Sequence, residues 1–272
     1  MSVNSVFSVA KKMKKGFTIT ELLVAIGLLA AVLAASTSIF HYSIEAQRTA
    51  MATAEIMRTL RAITDQLNYD FAGIRTDDAP IIMQFRGNST DANKADSIVF
   101  FTVGDFQTMD GEIRGNTARI YYGQAGLPPD TNIVDPNKIL ARKQVILAPA
   151  EIGSSNEYEP NSLSELMNIY ISDVNTATDK WLKRPDINYR DSNDIAMYFA
   201  KGVDNFTIEF CGKSNILGGD IDWQPPDNTR RRFGLSGVDP YPALIKFTFT
   251  LYDSKGILKT GRRFEHIVYI GE

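Results

Sequence analysis

Hydrophobic positions fall into three regimes along this chain. Residues 17–40 form one apolar run broken by a single charge, Glu21. Between His41 and Gly73 there is neither proline nor glycine. There Ile56, Leu60, Ile63, Leu67 and Phe71 recur at spacings of four, three, four and four, which is one stripe of a helix. These two regimes predict a helix running unbroken over 17–74, about 87 Å long at 1.5 Å per residue, ended by Gly73 and Pro80. After Pro80 the pattern changes to short apolar runs bounded by turns and rich in Val, Ile, Phe and Tyr. They predict strands over 81–85, 97–103, 118–122, 139–147, 203–211, 243–252 and 262–270. In the sixth, Ile245, Phe247, Phe249 and Leu251 alternate with Leu244, Lys246, Thr248 and Thr250, so one face is strongly apolar. Asp253, Ser254, Lys255 and Gly256 then form a turn into a C-terminal hairpin. The predicted fold class is α+β, one long N-terminal helix packed on antiparallel sheet.

The first run is long enough to cross a bilayer: 24 residues make about 36 Å of helix against about 30 Å of hydrocarbon. Lys11, Lys12, Lys14 and Lys15 all precede it. That bias places the N-terminus in the cytoplasm and everything after Phe40 outside. No second run of comparable length follows, so a single-pass protein with a large exported domain is expected. The carboxylate of Glu21 inside such a helix is costly unless its charge is compensated. Cleavage between Gly16 and Phe17 would create an α-ammonium at Phe17, about 6 Å along the helix from Glu21. That amine could meet its own Glu21 or that of a neighbouring subunit.

The segment Lys14, Lys15, Gly16, Phe17, Thr18, Glu21, with the uncharged run after it, resembles the cleavage and methylation signal of type IV prepilins and of the pseudopilins of type II secretion. The resemblance implies cleavage after Gly16 by a prepilin peptidase, N-methylation of Phe17, and a role for Glu21 in setting the register of assembly. Further along, 119–123 (RIYYG), 139–143 (ILARK), 202–210 (GVDNFTIEF), Trp223, 241–250 (YPALIKFTFT) and 264–269 resemble the J-type minor pseudopilin or a related minor pilin. That likeness implies I-type and K-type minor subunits and a major pseudopilin as partners, at the tip of a periplasmic pseudopilus. The expected organisation is a leader at 1–16, a transmembrane helix at 17–40, an amphipathic continuation at 41–74 and a periplasmic β-rich domain at 75–272. Loops are inserted at 123–195, with one helix at 162–171 begun by Ser162 and Glu165. Three alternatives stand beside this reading. They are a minor pilin priming a type IV pilus, a membrane-anchored periplasmic enzyme or binding domain, and a secretory signal peptide cut at 32–36 (VLAAS). The last fits poorly with an acid at the front of the run and a helical pattern that continues past Phe40.

Composition narrows the function classes. The formal charge is −3, and loss of the four leader lysines takes it to −7, which disfavours nucleic acid as a partner. Cys211 is the only cysteine, so no intrachain disulfide is possible. Cys211 is expected to be a small buried residue. His41 and His266 have no metal-ligand spacing to other residues; an interfacial side chain and a strand side chain are the simpler readings. No nucleophile motif or phosphate-cradling loop occurs, so no catalytic residue, resident cofactor or enzyme activity is expected. Asp77 with Asp78, Asp220 with Asp222, and Asp191 with Asp194 could offer oxygens to calcium, but none lies in a calcium-loop pattern, and solvated loops are the better reading. The basic run at 229–232 (TRRR), with Arg262 and Arg263, could meet an acidic neighbour or stay solvated.

Overall fold

A computed structural model describes residues 16–77, 79–85, 95–108, 113–125, 139–148, 158–160, 181–183, 185, 197–212, 221–224, 230–234 and 239–270. The expected helix forms as a single element, α1 (Ile19–Ala72), 54 residues long. The chain divides into two compact units, Met1–Ala50 and Met51–Glu272, and the division falls within α1.

In the first unit every described residue is exposed except half-buried Ser36. No interior is available to the apolar side chains from Leu22 to Phe40. Two hydroxyls in this stretch satisfy themselves on the helix: Thr37 Oγ1 donates to the Leu33 carbonyl at 2.9 Å and Ser38 Oγ to the Ala34 carbonyl at 3.1 Å. Back-bonding of this kind leaves no bare donor facing an apolar surrounding.

The second unit is built on two sheets. Its strands are β1 (Ile81–Gln84), β2 (Ser97–Gln107), β3 (Arg114–Gln124), β4 (Ile139–Ala148), β5 (Tyr158–Pro160), β6 (Tyr198–Lys201), β7 (Val203–Gly212), β8 (Arg230–Phe233), β9 (Pro242–Leu251) and β10 (Arg262–Tyr269). The larger sheet has the order β5-β4-β3-β2-β1-β8, with β6 also paired to β4, and the smaller has the order β10-β9-β7. Every ladder between these strands is antiparallel except β4 with β5. The hairpin of β9 and β10 runs in unbroken register from Leu251 opposite Arg262 to Leu244 opposite Tyr269.

Strand alternation gives the larger sheet two buried faces. On one face Ile98, Phe100, Ile120 and Tyr122 join Ile56, Ile63, Leu67 and Phe71 of α1 and Ile245, Phe247 and Phe249 of β9 in the main core. Phe71 bridges the two sheets, its ring 4.2 Å from that of Phe100 and 5.6 Å from that of Phe247. On the other face Ile82, Val99, Phe101, Tyr121 and Ile139 form a second core with Trp181 and Leu182. Trp181 meets Phe101 edge to face at 5.5 Å. The inserted stretch therefore does more than loop over the surface, because two of its residues seal the back of the sheet. The helix expected at 162–171 lies outside the described residues.

Three strands were not expected from the pattern. β5 and β6 have three and four residues, too short to display a period. β8 is the arginine run: Arg231 and Arg232 pair with Met83 and Ile82 across an edge ladder. Cross-strand pairing to β1 outweighs the poor intrinsic strand pattern of this run, and Arg231 and Arg232 remain half-buried at the edge. Charged residues are also the residues that keep an edge strand from pairing further.

The exit of α1 is stitched to β2. Gly73 accepts from the Val103 amide at 2.7 Å, and the Arg75 amide donates to the Phe101 carbonyl at 2.9 Å. A Cβ on Gly73 would lie 2.0 Å from the Val103 oxygen, so the close approach requires glycine.

Candidate functional site

The Gly16–Phe17 bond lies ahead of α1, in chain with no regular structure. Phe17 is 85% exposed, and a Cβ added at Gly16 would meet nothing within 4 Å. Among the described residues the bond lies outside the helix and nothing crowds it.

Thr18 and Glu21 form a capping box. The Thr18 amide donates to Glu21 Oε2 at 2.9 Å, Thr18 Oγ1 donates to the same oxygen at 2.9 Å, and the Glu21 amide lies 3.3 Å from Thr18 Oγ1. The first α-helical bond follows, from the Leu22 amide to the Thr18 carbonyl at 3.1 Å. An acid in the first turn also matches the positive end of the helix dipole. The Glu21 carboxylate therefore has partners within its own chain before any new terminus exists, and a processed amine is not the sole group that explains it. The Thr-x-x-Glu spacing was legible as a cap and was missed because the acid's place in an apolar run drew the reading toward charge pairing. The cleavage expected ahead of Phe17 would leave the Phe17–Thr18 bond, the Thr18 amide and hence the cap intact.

Other candidate residues are not brought together. His41 is exposed on α1. His266 faces α1, its Nε2 2.9 Å from Asn68 Oδ1. Partial burial lowers its pKa, opposed by the charge of Asp65. Cys211 is buried in β7. Asp77 is taken up by an ion pair with Arg75, and Asp222 accepts from Gln224 at 3.2 Å. Asp78, Asp191, Asp194 and Asp220 lie outside the described residues, and among the described residues no three His, Cys, Asp or Glu converge on a point that could hold a metal. Arg231 pairs with Asp239 at 3.3 Å, and Arg263 with Glu265 at 3.3 Å.

One polar cluster was missed entirely. Asp70, 0% exposed in the last turn of α1, receives Arg142 Nε and Nη2 of β4, each at 2.7 Å, the Tyr122 hydroxyl of β3 at 2.5 Å, and Gln66 Nε2 at 3.0 Å. Thr102 Oγ1 of β2 donates to the Asp70 carbonyl at 2.6 Å. Burial, then the charge of Asp70, pushes the Tyr122 hydroxyl well above its ordinary pKa. Burial works against the Arg142 cation, but its hydrogen bonds and charge contact with Asp70 prevail and hold it protonated. The signal was present: Asp70 lies three residues beyond Leu67, an acid on the buried stripe.

Residues 11–37 match the family model described as the prokaryotic N-terminal methylation motif. No curated protein matches the chain. The motif implies processing by prepilin peptidase and pilin-family partners. α1 is also long and apolar enough to cross a membrane, compatible with a single-pass anchor. With that signal leading into one long helix, and the helix packed on antiparallel sheet, the chain carries a type IV pilin-like prepilin signal on a type IV pilin-like α+β architecture.

Proposed function

We propose that this protein is a minor pseudopilin of the J type, processed at Gly16–Phe17 and assembled at the tip of a type II secretion pseudopilus to support protein export. The observation that carries the proposal is the methylation motif at 11–37 running directly into a helix whose apolar residues have no interior of their own. The choice of type rests on the succession of RIYYG in β3, ILARK in β4, GVDNFTIEF up to and through β7, Trp223 and YPALIKFTFT through β9.

In this mechanism the protein performs no turnover. Its leader stays in the cytoplasm until the peptidase removes it, Phe17 is N-methylated, and residues 17–40 remain in the inner membrane with the sheet domain in the periplasm. Small residues such as Gly27, Ala30, Ala31, Ala34 and Ala35 allow helices to approach closely in lipid. Glu21 keeps its cap with Thr18 and has one carboxylate oxygen, Oε1, left for the Phe17 amine of a neighbouring subunit. A stagger that strands either charge in lipid is penalised, which fixes axial register. I-type and K-type minor subunits and the major pseudopilin are the partners.

N-terminal mass spectrometry of the membrane-extracted protein tests the processing step. A chain beginning at methylated Phe17 is expected; a chain beginning at Met1, or near Ser36, overturns it. Glu21→Val should leave the sheet domain folded and reduce recovery of partner subunits in pull-downs. Unchanged recovery removes the register role. Co-purification of I-type and K-type subunits separates the secretion machine from a pilus, in which pilus subunits would be recovered instead.

A further inference from the structure

We infer that the buried Asp70–Arg142 pair is a register key: it selects one axial and rotational setting of the 51–72 part of α1 on the sheets, rather than adding stability. Three observations on this unit lead there.

First, the acid sits where helix electrostatics oppose it. Asp70 is third from the end of α1, the last turn contains no basic residue, and a carboxylate there faces the negative end of the dipole. Second, the pair is largely taken out of water, Asp70 at 0% exposure and the Arg142 side chain at 16%. The desolvation of such a pair consumes much of its mutual attraction, and apolar replacements of similar volume are often neutral or stabilising. Third, the apolar stripe chooses a setting only in part. Hydrophobic burial is non-directional, and a slip of one helical turn keeps apolar residues at three places, Leu60 at that of Ile56, Leu67 at that of Ile63 and Phe71 at that of Leu67, while it brings Thr64 to that of Leu60 and Arg75 to that of Phe71. The same slip brings Ile74 to the place of Asp70, and the opposite slip brings Gln66. Neither neutralises Arg142, so both leave a buried cation unpaired.

The geometry suits this selective role. Arg142 grips both carboxylate oxygens, one from Nε and one from Nη2, so the pair defines an angle as well as a distance. Tyr122 comes from the neighbouring strand and lands on Oδ2, while Gln66 lands on Oδ1. The backbone stitch of Gly73 and Arg75 to β2 holds the chain after the helix; the carboxylate holds the helix itself against β3 and β4. The inference does not depend on which machine the subunit serves.

The test uses the full-length protein in detergent with Cys211→Ala, and a short thiol-reactive cross-linker joining His266→Cys to one cysteine on α1. Asn68→Cys reports the observed setting, since Asn68 and His266 touch. Thr64→Cys and Ala72→Cys report slips of one turn. With Asp70 and Arg142 in place, only the 68/266 pair should cross-link. In Asp70→Leu with Arg142→Met, the thermal midpoint should hold or rise, while the 68/266 yield falls at least threefold and a 64/266 or 72/266 product appears at comparable yield. An unchanged midpoint with 68/266 as the sole product overturns the inference, because the apolar stripe and the stitch would then suffice. A collapsed midpoint or a failure to fold overturns it too, because the pair would then be a stabiliser.

Discussion

Residues 19–50 and 51–72 belong to one continuous helix, yet they solve different problems. The first stretch buries none of its apolar side chains in this chain; Leu22, Leu23, Val24, Leu29 and Leu33 are all exposed. The second buries Ala52, Ile56, Ile63, Leu67 and Phe71 to within a few per cent and sets a charge among them. The same backbone conformation thus serves two surroundings, and side-chain chemistry shows which is which. Where the helix has no sheet to cover it, apolar residues surround the axis and hydroxyls bond back to the backbone. Where the partner is the protein's own sheet, one stripe is apolar and its polar exception is matched atom for atom.

The sharpest way to break this contrast is to remove one member of the buried pair. Arg142→Ala leaves the Asp70 carboxylate buried without its cation and should cost about 3–5 kcal/mol, read as a lowered midpoint of chemical unfolding monitored by aromatic fluorescence. A result near zero would mean that water or another donor replaces the guanidinium. Next, Leu67→Ala in the sheet-facing stretch should cost about 2–5 kcal/mol by the cavity it opens. Leu29→Ala in the exposed stretch should leave the same transition within about 0.5 kcal/mol. Equal effects would erase the division between the two stretches.

A smaller, pH-dependent effect is expected at the β9–β10 turn. Asp253 is buried, and burial by itself would raise its pKa. The amides of Ile257 and Leu258, donating to its carboxylate at 2.8 and 2.9 Å, outweigh that and hold it below the ordinary 3.8. A carboxyl whose folded pKa is depressed contributes stability that is fully present above the unfolded value and lost as pH falls through the folded one. Asp253→Ala should therefore cost about 1–3 kcal/mol at neutral pH. Its difference from the parent should shrink below about pH 4, which urea titrations across that range would reveal. A difference that stays constant with pH would assign the loss to packing. The smallest effect belongs to the cap: Thr18→Ala should cost about 0.5–2 kcal/mol of local helix stability. It should show as faster amide exchange confined to the first turn, with the unfolding of the sheet unit unchanged.

Much of this arrangement was legible beforehand for a physical reason. A long apolar run, a 3.6-residue stripe and the alternation in β9 are periodic signals summed over many residues, and they place α1 and seven of the strands. The short strands β5, β6 and β8 have no room for a period, and they exist because a neighbouring edge offers backbone partners. At the N-terminus, the motif matched at 11–37 spans Gly16, Phe17 and Glu21, while the capping geometry of Thr18 and Glu21 was overlooked although its spacing was visible. The Tyr122 and Arg142 partners of Asp70 were out of reach, since they lie 52 and 72 residues further along the chain.

The sequence by itself determined the class of molecule: an N-terminal processing signal, one apolar helix and a β-rich remainder, all of which follow from local chemistry and periodicity. Tertiary structure alone decided that Trp181 and Leu182 close the back of the sheet, that an arginine run becomes an edge strand, and that Asp70 finds Arg142 and Tyr122. Those outcomes depend on which distant segments come within hydrogen-bond or van der Waals reach. Such contacts act over a few ångströms in space and leave no regular spacing along the chain.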